Sequence, residues 1–259
     1  MPPINTAVAI ANGAILALVA LWVAKQARRD RSPIPLLILL GAAVSSLQEP
    51  IYDIVGAVWY PDHQSVAYLR AFNVSIPLWL IPGYAWYIGG RGNYMVKVMR
   101  DGGGRPLWQY YFVFWLANFA LEMPGLNLGI YRYYGDQPFR LFGFPLWMAV
   151  TNGLMPLMIG ALFNSLRGVL KGPAVLLTVV LVPMVVGTAQ IAAGWPIWLA
   201  LNAGIGVSGT SAAALVSLAF AFCIIYVLSK HYPQVAVARR SVHNSRVTVH
   251  VAGEEISRR

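Results

Sequence analysis

Seven stretches of this chain, roughly 6–24, 34–59, 69–90, 108–131, 141–165, 173–194 and 204–229, are apolar over the length that a helix needs to cross a bilayer. Lipid offers no partner to backbone N–H and C=O groups, so segments of this kind must satisfy their hydrogen bonds internally. The composition agrees: 58% of the residues are hydrophobic and 11% charged, against about 25% charged in soluble domains. The expected fold is all-α, an integral membrane bundle of seven transmembrane helices over residues 1–231. A basic, loosely ordered cytoplasmic tail is expected over 232–259.

The basic residues orient this bundle, because Lys and Arg collect on the cytoplasmic side. One set of connections holds Lys25, Arg28, Arg29 and Arg31, then Arg91, Lys97, Arg100 and Arg105, then Arg167 and Lys171, and finally the tail from Lys230. The alternate set holds only Arg70, Arg132 and Arg140. The N-terminus is therefore expected outside and the C-terminus inside. The net charge of +10 reads as topological, with anionic lipid heads as its partner and no role for nucleic acid.

Four local features complete the organisation. The start, MPPINTAVAI, lacks the basic flank of a secretory signal, so the first stretch is expected to be a retained helix. GGRGNYMVKVMRDGGGRP, residues 89–106, is expected to be a flexible positive linker. Gly204, Gly206, Ser208, Gly209 and Ser211 suggest that the last helix packs closely on its neighbours. That helix has no lysine, which excludes a retinal Schiff base, and Cys223 within it is expected to be a small packing residue. The tail carries an alternating VTVHVA and two histidines, His243 and His250, at no metal-binding spacing.

Chemistry concentrates in LQEPIYDIVG, residues 47–56, and LEMPGLNLGIY, residues 121–131. Acids inside a span cost about 2.5–3.5 kcal/mol on insertion scales and so mark function. Glu49 and Asp53 share one helix face at i, i+4, with Tyr52 beside them. Pro50 cannot donate to the Ser46 carbonyl and should break the helix there. Glu122 lies on the fourth stretch, followed by Pro124 and by Asn127, which stands three residues after its proline as Asp53 does after Pro50. Paired broken helices around one cavity are the expectation. Two acids this close cannot both ionise cheaply, so at least one is expected to hold a proton at neutral pH. Structural hydrogen bonding is the competing role for all three acids.

The expected walls are Tyr52, Trp79, Tyr84, Trp115, Phe119 and Trp147, with Asn127 and Asn152 as polar contacts and Asn118 as a further amide within a span. Aromatic faces stabilise cations. Trp59, Tyr60, Tyr131 and Tyr133 are assigned instead to the aromatic belt of the outer interface.

Together, seven spans in about 250 residues, LQEPIYDIVG, LEMPGLNLGIY and the aromatic walls resemble the small membrane-embedded terpene cyclases. These act in fungal meroterpenoid and bacterial indole-sesquiterpenoid pathways, and the resemblance covers about residues 6–229. The fungal members carry an acid in a late helix; here the last helix has none, and Glu122 is the candidate substitute. The resemblance implies a metal-independent, cofactor-free cyclisation begun by protonating an alkene or epoxide of a prenyl chain. It implies a lipophilic prenylated indole or other aromatic substrate and a bacterial cytoplasmic membrane. Glu49 or Asp53 would give the proton, its partner orienting it, and Glu122 would be a second acid–base group. No span carries an aspartate-rich diphosphate box. Two other function classes stay open to such a chain: a proton-coupled small-molecule transporter with an intramembrane acid relay, and a membrane scaffold or accessory subunit whose acids are only structural.

Overall fold

The computed structural model describes residues 3–61, 66–101 and 106–256, with side chains up to Tyr232. Helices α1 (Pro3–Asp30) and α2 (Ile34–Ser45) are followed by a 3₁₀ turn, Ser46–Gln48, and by α3 (Glu49–Gly56). After β1 (Val58–Trp59), β2 (Ala67–Ala71) and β3 (Val74–Pro77), a continuous helical segment comprises α4 (Leu80–Tyr84), a π-helical stretch (Ala85–Gly90) and α5 (Arg91–Asp101). Next come α6 (Leu107–Asn127), β4 (Arg132–Tyr133), β5 (Arg140–Leu141), β6 (Phe144–Pro145) and α7 (Leu146–Ser165). Two 3₁₀ turns lead into α8 (Thr178–Asn202) and then α9 (Gly206–Ile256).

Among the described residues, five helical segments are long and apolar enough to cross a membrane: Ile4–Asp30, Ile34–Gly56, Leu146–Gly168, Gly172–Asn202 and Gly206–Tyr232. The chain is thus an all-helical bundle of membrane-protein character. α6 has the length but is rich in Trp and Tyr, including Trp108, Tyr110, Tyr111 and Trp115. α5 carries Arg91, Lys97, Arg100 and Asp101.

Three antiparallel strand pairs, β1–β4, β2–β3 and β5–β6, depart from the purely helical expectation. They take up residues 69–77 and 141–145, which were expected inside the third and fifth spans. Phe72 and Asn73 both have positive φ, +53° and +61°, the geometry of the tight turn that suits a right-twisted hairpin. The third helix therefore starts at Leu80, eleven residues later than expected.

The linker expected over 89–106 is helical as far as Asp101. Gly89 and Gly92 are contact residues: a methyl on Gly89 would lie 2.9 Å from Ala42 Cβ, and one on Gly92 2.8 Å from Ile159 Cγ2. Arg91 consequently lies inside a helix, its guanidinium 3.3 Å from the centroid of the Tyr87 ring and bonded to the Phe114 carbonyl. Residues 102–105 of that segment lie outside the description.

Gly204 and Gly206 do not pack helices together. Both have positive φ, +63° and +72°, and turn the chain between α8 and α9. Buried Thr210, Ala214 and Ser217 form the packing face of α9, while Cys223 lies exposed on its outer side. The tail residues 233–259, with VTVHVA, His243 and His250, lie outside the described side chains.

Pro50 breaks its helix as expected. The 3₁₀ turn sits immediately before α3, and the Ser46 carbonyl that the proline cannot use accepts the Tyr68 hydroxyl at 2.7 Å. Pro124 behaves otherwise: α6 runs unbroken through it to Asn127, so the paired broken helices do not form.

Candidate functional site

The acids stand near one end of the bundle. At 1.5 Å per residue, Asp53 lies about 5 Å from the end of α3, Glu49 about 10 Å, and Glu122 about 8 Å from the end of α6. The β1–β4 pair closes this end. Gln137 secures the closure, its amide donating to the Gly56 carbonyl at 2.7 Å and its oxygen accepting the Trp147 indole N–H at 3.0 Å. Beneath lies a cavity of about 200 Å³ lined by Glu49, Asp53 and Glu122. A water occupies roughly 10–15 Å³ on this measure, so the space admits a small organic molecule.

Glu49 is held from two sides. Tyr60, just beyond β1, donates to Oε1 at 3.0 Å, and Tyr84 in α4 donates to Oε2. Glu122 receives more donors. Oε2 accepts Tyr131 at 2.6 Å and Tyr133 at 3.3 Å, and Oε1 accepts the Asn118 amide at 3.2 Å. Behind Asn118 runs a chain of amides across three helices: Gln190 in α8 donates to Asn152 in α7 at 2.6 Å, and Asn152 donates to Asn118 in α6 at 3.1 Å. Every amide in that chain points its N–H toward Glu122, a polarity that favours negative charge at the far end. Burial first, and then Glu49 for Tyr60 and Glu122 for Tyr133, push these two hydroxyls above the ordinary tyrosine range. Both therefore remain donors at neutral pH.

Asp53 differs from the two glutamates. It is 1% exposed, and its Oδ2 has no hydrogen-bond partner among the described residues. The indole N–H of Trp198, another lining residue, is also buried and without a partner among the described residues. A buried polar atom left without a partner is costly, and both residues line the same space. Tyr52 lies with its ring centroid 6.2 Å from that of Trp198, tilted by 35°, and donates to Gln48 at 2.9 Å, which in turn donates to the Pro183 carbonyl.

Of the wall residues expected from sequence, Tyr52, Tyr84 and Asn152 line the cavity with the three acids. Trp79, Trp115, Phe119, Asn127 and Trp147 do not. Trp79 donates to Asn5 and packs edge-on to Tyr60. Trp115 reaches the Leu146 carbonyl, Phe119 packs on Phe144, and Trp147 is buried against Gln137. Asn127 is exposed at the end of α6, so it shares no environment with buried Asp53.

The belt assignment fails for Tyr60, Tyr131 and Tyr133, whose hydroxyls point inward onto carboxyl groups; Trp59 alone of that set is exposed at 44%. Gln190, Trp198, Tyr87 and Asn12 also line the cavity and were not expected there. Gln190 was the findable one, an amide in the middle of the largely apolar α8.

Comparison with models of known protein families, with curated proteins and with solved structures finds no match to this chain.

Proposed function

We propose that the chain is a proton-initiated terpene cyclase, acting on the prenyl chain of an indole or other aromatic compound within a bacterial cytoplasmic membrane. The observation that carries this reading is the unpartnered Oδ2 of Asp53, which lines a cavity whose other two carboxyl groups each accept donors at both oxygens. A bare oxygen in such a place costs least as part of a neutral acid, and a neutral acid in an apolar pocket is a proton donor. Asp53 delivers its proton to a terminal alkene carbon or epoxide oxygen of the substrate. The alkene π pair, or the breaking C–O bond, leaves a tertiary carbocation, which an internal alkene attacks to close a ring.

Tyr52, Tyr60, Tyr84, Tyr87, Tyr131 and Trp198 present ring faces and edges to the cavity, the environment that stabilises such a cation. Glu122, an acceptor toward three donors, takes up the proton lost when the cascade ends. Glu49, one turn from Asp53, orients the acid. Substrate and product have the same mass.

The bundle is read as seven spans with the N-terminus outside. The separation of Arg70, Arg132 and Arg140 in the strand-capped end from Arg100 and Arg167 at the opposite end supports that orientation. The test is incubation of the purified protein in lipid nanodiscs with farnesylated indoles and phenols. The account expects a same-mass product of altered retention. Unchanged substrate, together with gradient-driven uptake of a solute into proteoliposomes, would replace it with the transporter reading.

A further inference from the structure

A second cavity, of about 220 Å³, opens at the other end of the bundle between α1, α2, α5 and α7. Ile34 lines it and Glu49 lines the first, fifteen residues apart, so the two are separated by about 22 Å along the helix. Its chemistry is different. Asn93 is 0% exposed, and both its N–H groups are taken, by the Pro35 carbonyl at 2.9 Å and the Gly89 carbonyl at 3.0 Å. Its Oδ1 is left buried without a partner, and so is Gln26 Oε1. Asp30 adds a carboxylate, paired with Arg100. Arg167, exposed, supplies a second guanidinium to the lining.

The interior thus presents oxygen acceptors that lack hydrogens, while two guanidiniums offer donors to an anion. Arg100 is held by Asp30 and Asp101 and Arg167 stands exposed, while an anion alone would leave Asn93 Oδ1 and Gln26 Oε1 unsatisfied. We propose that this cavity binds a primary ammonium and a phosphate carried on one small molecule, the chemistry of a phosphoethanolamine head. The ammonium donates to Asn93 Oδ1, Gln26 Oε1 and Asp30, and the phosphate pairs with Arg167 and Arg100, for which the planar guanidinium is suited. The site is independent of the chemistry assigned to the first cavity.

The test is native mass spectrometry of the full-length protein in detergent, titrated with dioleoyl phosphatidylethanolamine, dioleoyl phosphatidylcholine and free phosphoethanolamine. The ethanolamine lipid is expected to bind about tenfold more tightly than the choline lipid, whose ammonium has no N–H to give. Arg167→Gln and Gln26→Met are each expected to weaken it about five- to tenfold, with the ligand-free melting temperature unchanged. Competition by free phosphoethanolamine at similar affinity would assign a soluble ligand of the same chemistry, and its failure to compete a lipid. Equal binding of the two lipids, or variants that bind the ethanolamine lipid as the unaltered chain does, would overturn the proposal.

Discussion

Tyr131 donates its hydroxyl to Glu122 Oε2 at 2.6 Å across the turn that ends α6, and Gly125 makes this possible. A methyl on Gly125 would lie 2.5 Å from Tyr131 Cε1 and 2.8 Å from its hydroxyl oxygen. A glycine on the helix thus admits the ring that holds the half-buried acid.

Gly125→Ala is therefore expected to push Tyr131 off the carboxyl and to destabilise the protein by about 1–3 kcal/mol, the range for overpacking a filled site. Tyr131→Phe keeps the ring and removes only the hydrogen bond, at about 1.5–3 kcal/mol for a charged acceptor. Both should lower cyclisation at least tenfold. Thermal unfolding and product formation measured on the same preparations check this. A Gly125→Ala protein with full stability would contradict the packing.

The three acids were legible in the sequence because a carboxyl contrasts sharply with an apolar run, and Pro50 announced the break beside them. The tyrosines that hold these acids were not. A phenol is equally suited to the interface and to the interior, and only folding decides which; Tyr60, Tyr131 and Tyr133 come from segments distant in sequence that converge over one cavity. Residues 67–77 misled for another reason. They continue directly into the apolar run that forms the helix, but Arg70, Asn73 and Ser75 interrupt them, and their turn is built on Phe72–Asn73 rather than on an Asn-Gly pair. In the same way Gly89, Gly90 and Gly92 read as a linker, although Gly89 packs against α2 and Gly92 against α7.

The amide chain should behave as a unit. Asn152→Leu leaves both the Asn118 oxygen and the Gln190 N–H group unpaired, each a loss of about 1–3 kcal/mol. Once Asn152 is gone, Gln190→Leu should cost less than it does alone, with a coupling of about 0.5–3 kcal/mol. A double-mutant cycle on chemical unfolding measures it, and strict additivity would show that the amides do not communicate.

Alkaline pH should destabilise the fold in a predictable direction. Burial pushes the Tyr68 hydroxyl up to about 12 from an ordinary value of 10. Its folded value is raised, so its contribution is complete below pH 10 and declines as the pH rises toward 12. Tyr60 and Tyr133, also raised, act in the same direction. Melting temperature is expected to be insensitive to tyrosine ionisation up to about pH 9 and to fall beyond about pH 10. Tyr68→Phe should lower stability at neutral pH by about 0.5–1.5 kcal/mol through the lost bond to Ser46 and reduce the alkaline slope. An unchanged slope in that variant would contradict the assignment.

The measurement closest to the central claim is conversion of a farnesylated indole by the unaltered protein and by Asp53→Asn, with folding of both verified by melting. Asparagine keeps the shape of the side chain and cannot deliver a proton. The account predicts a same-mass cyclic product from the first and none from the second. Full product formation by a folded Asp53→Asn protein would contradict it.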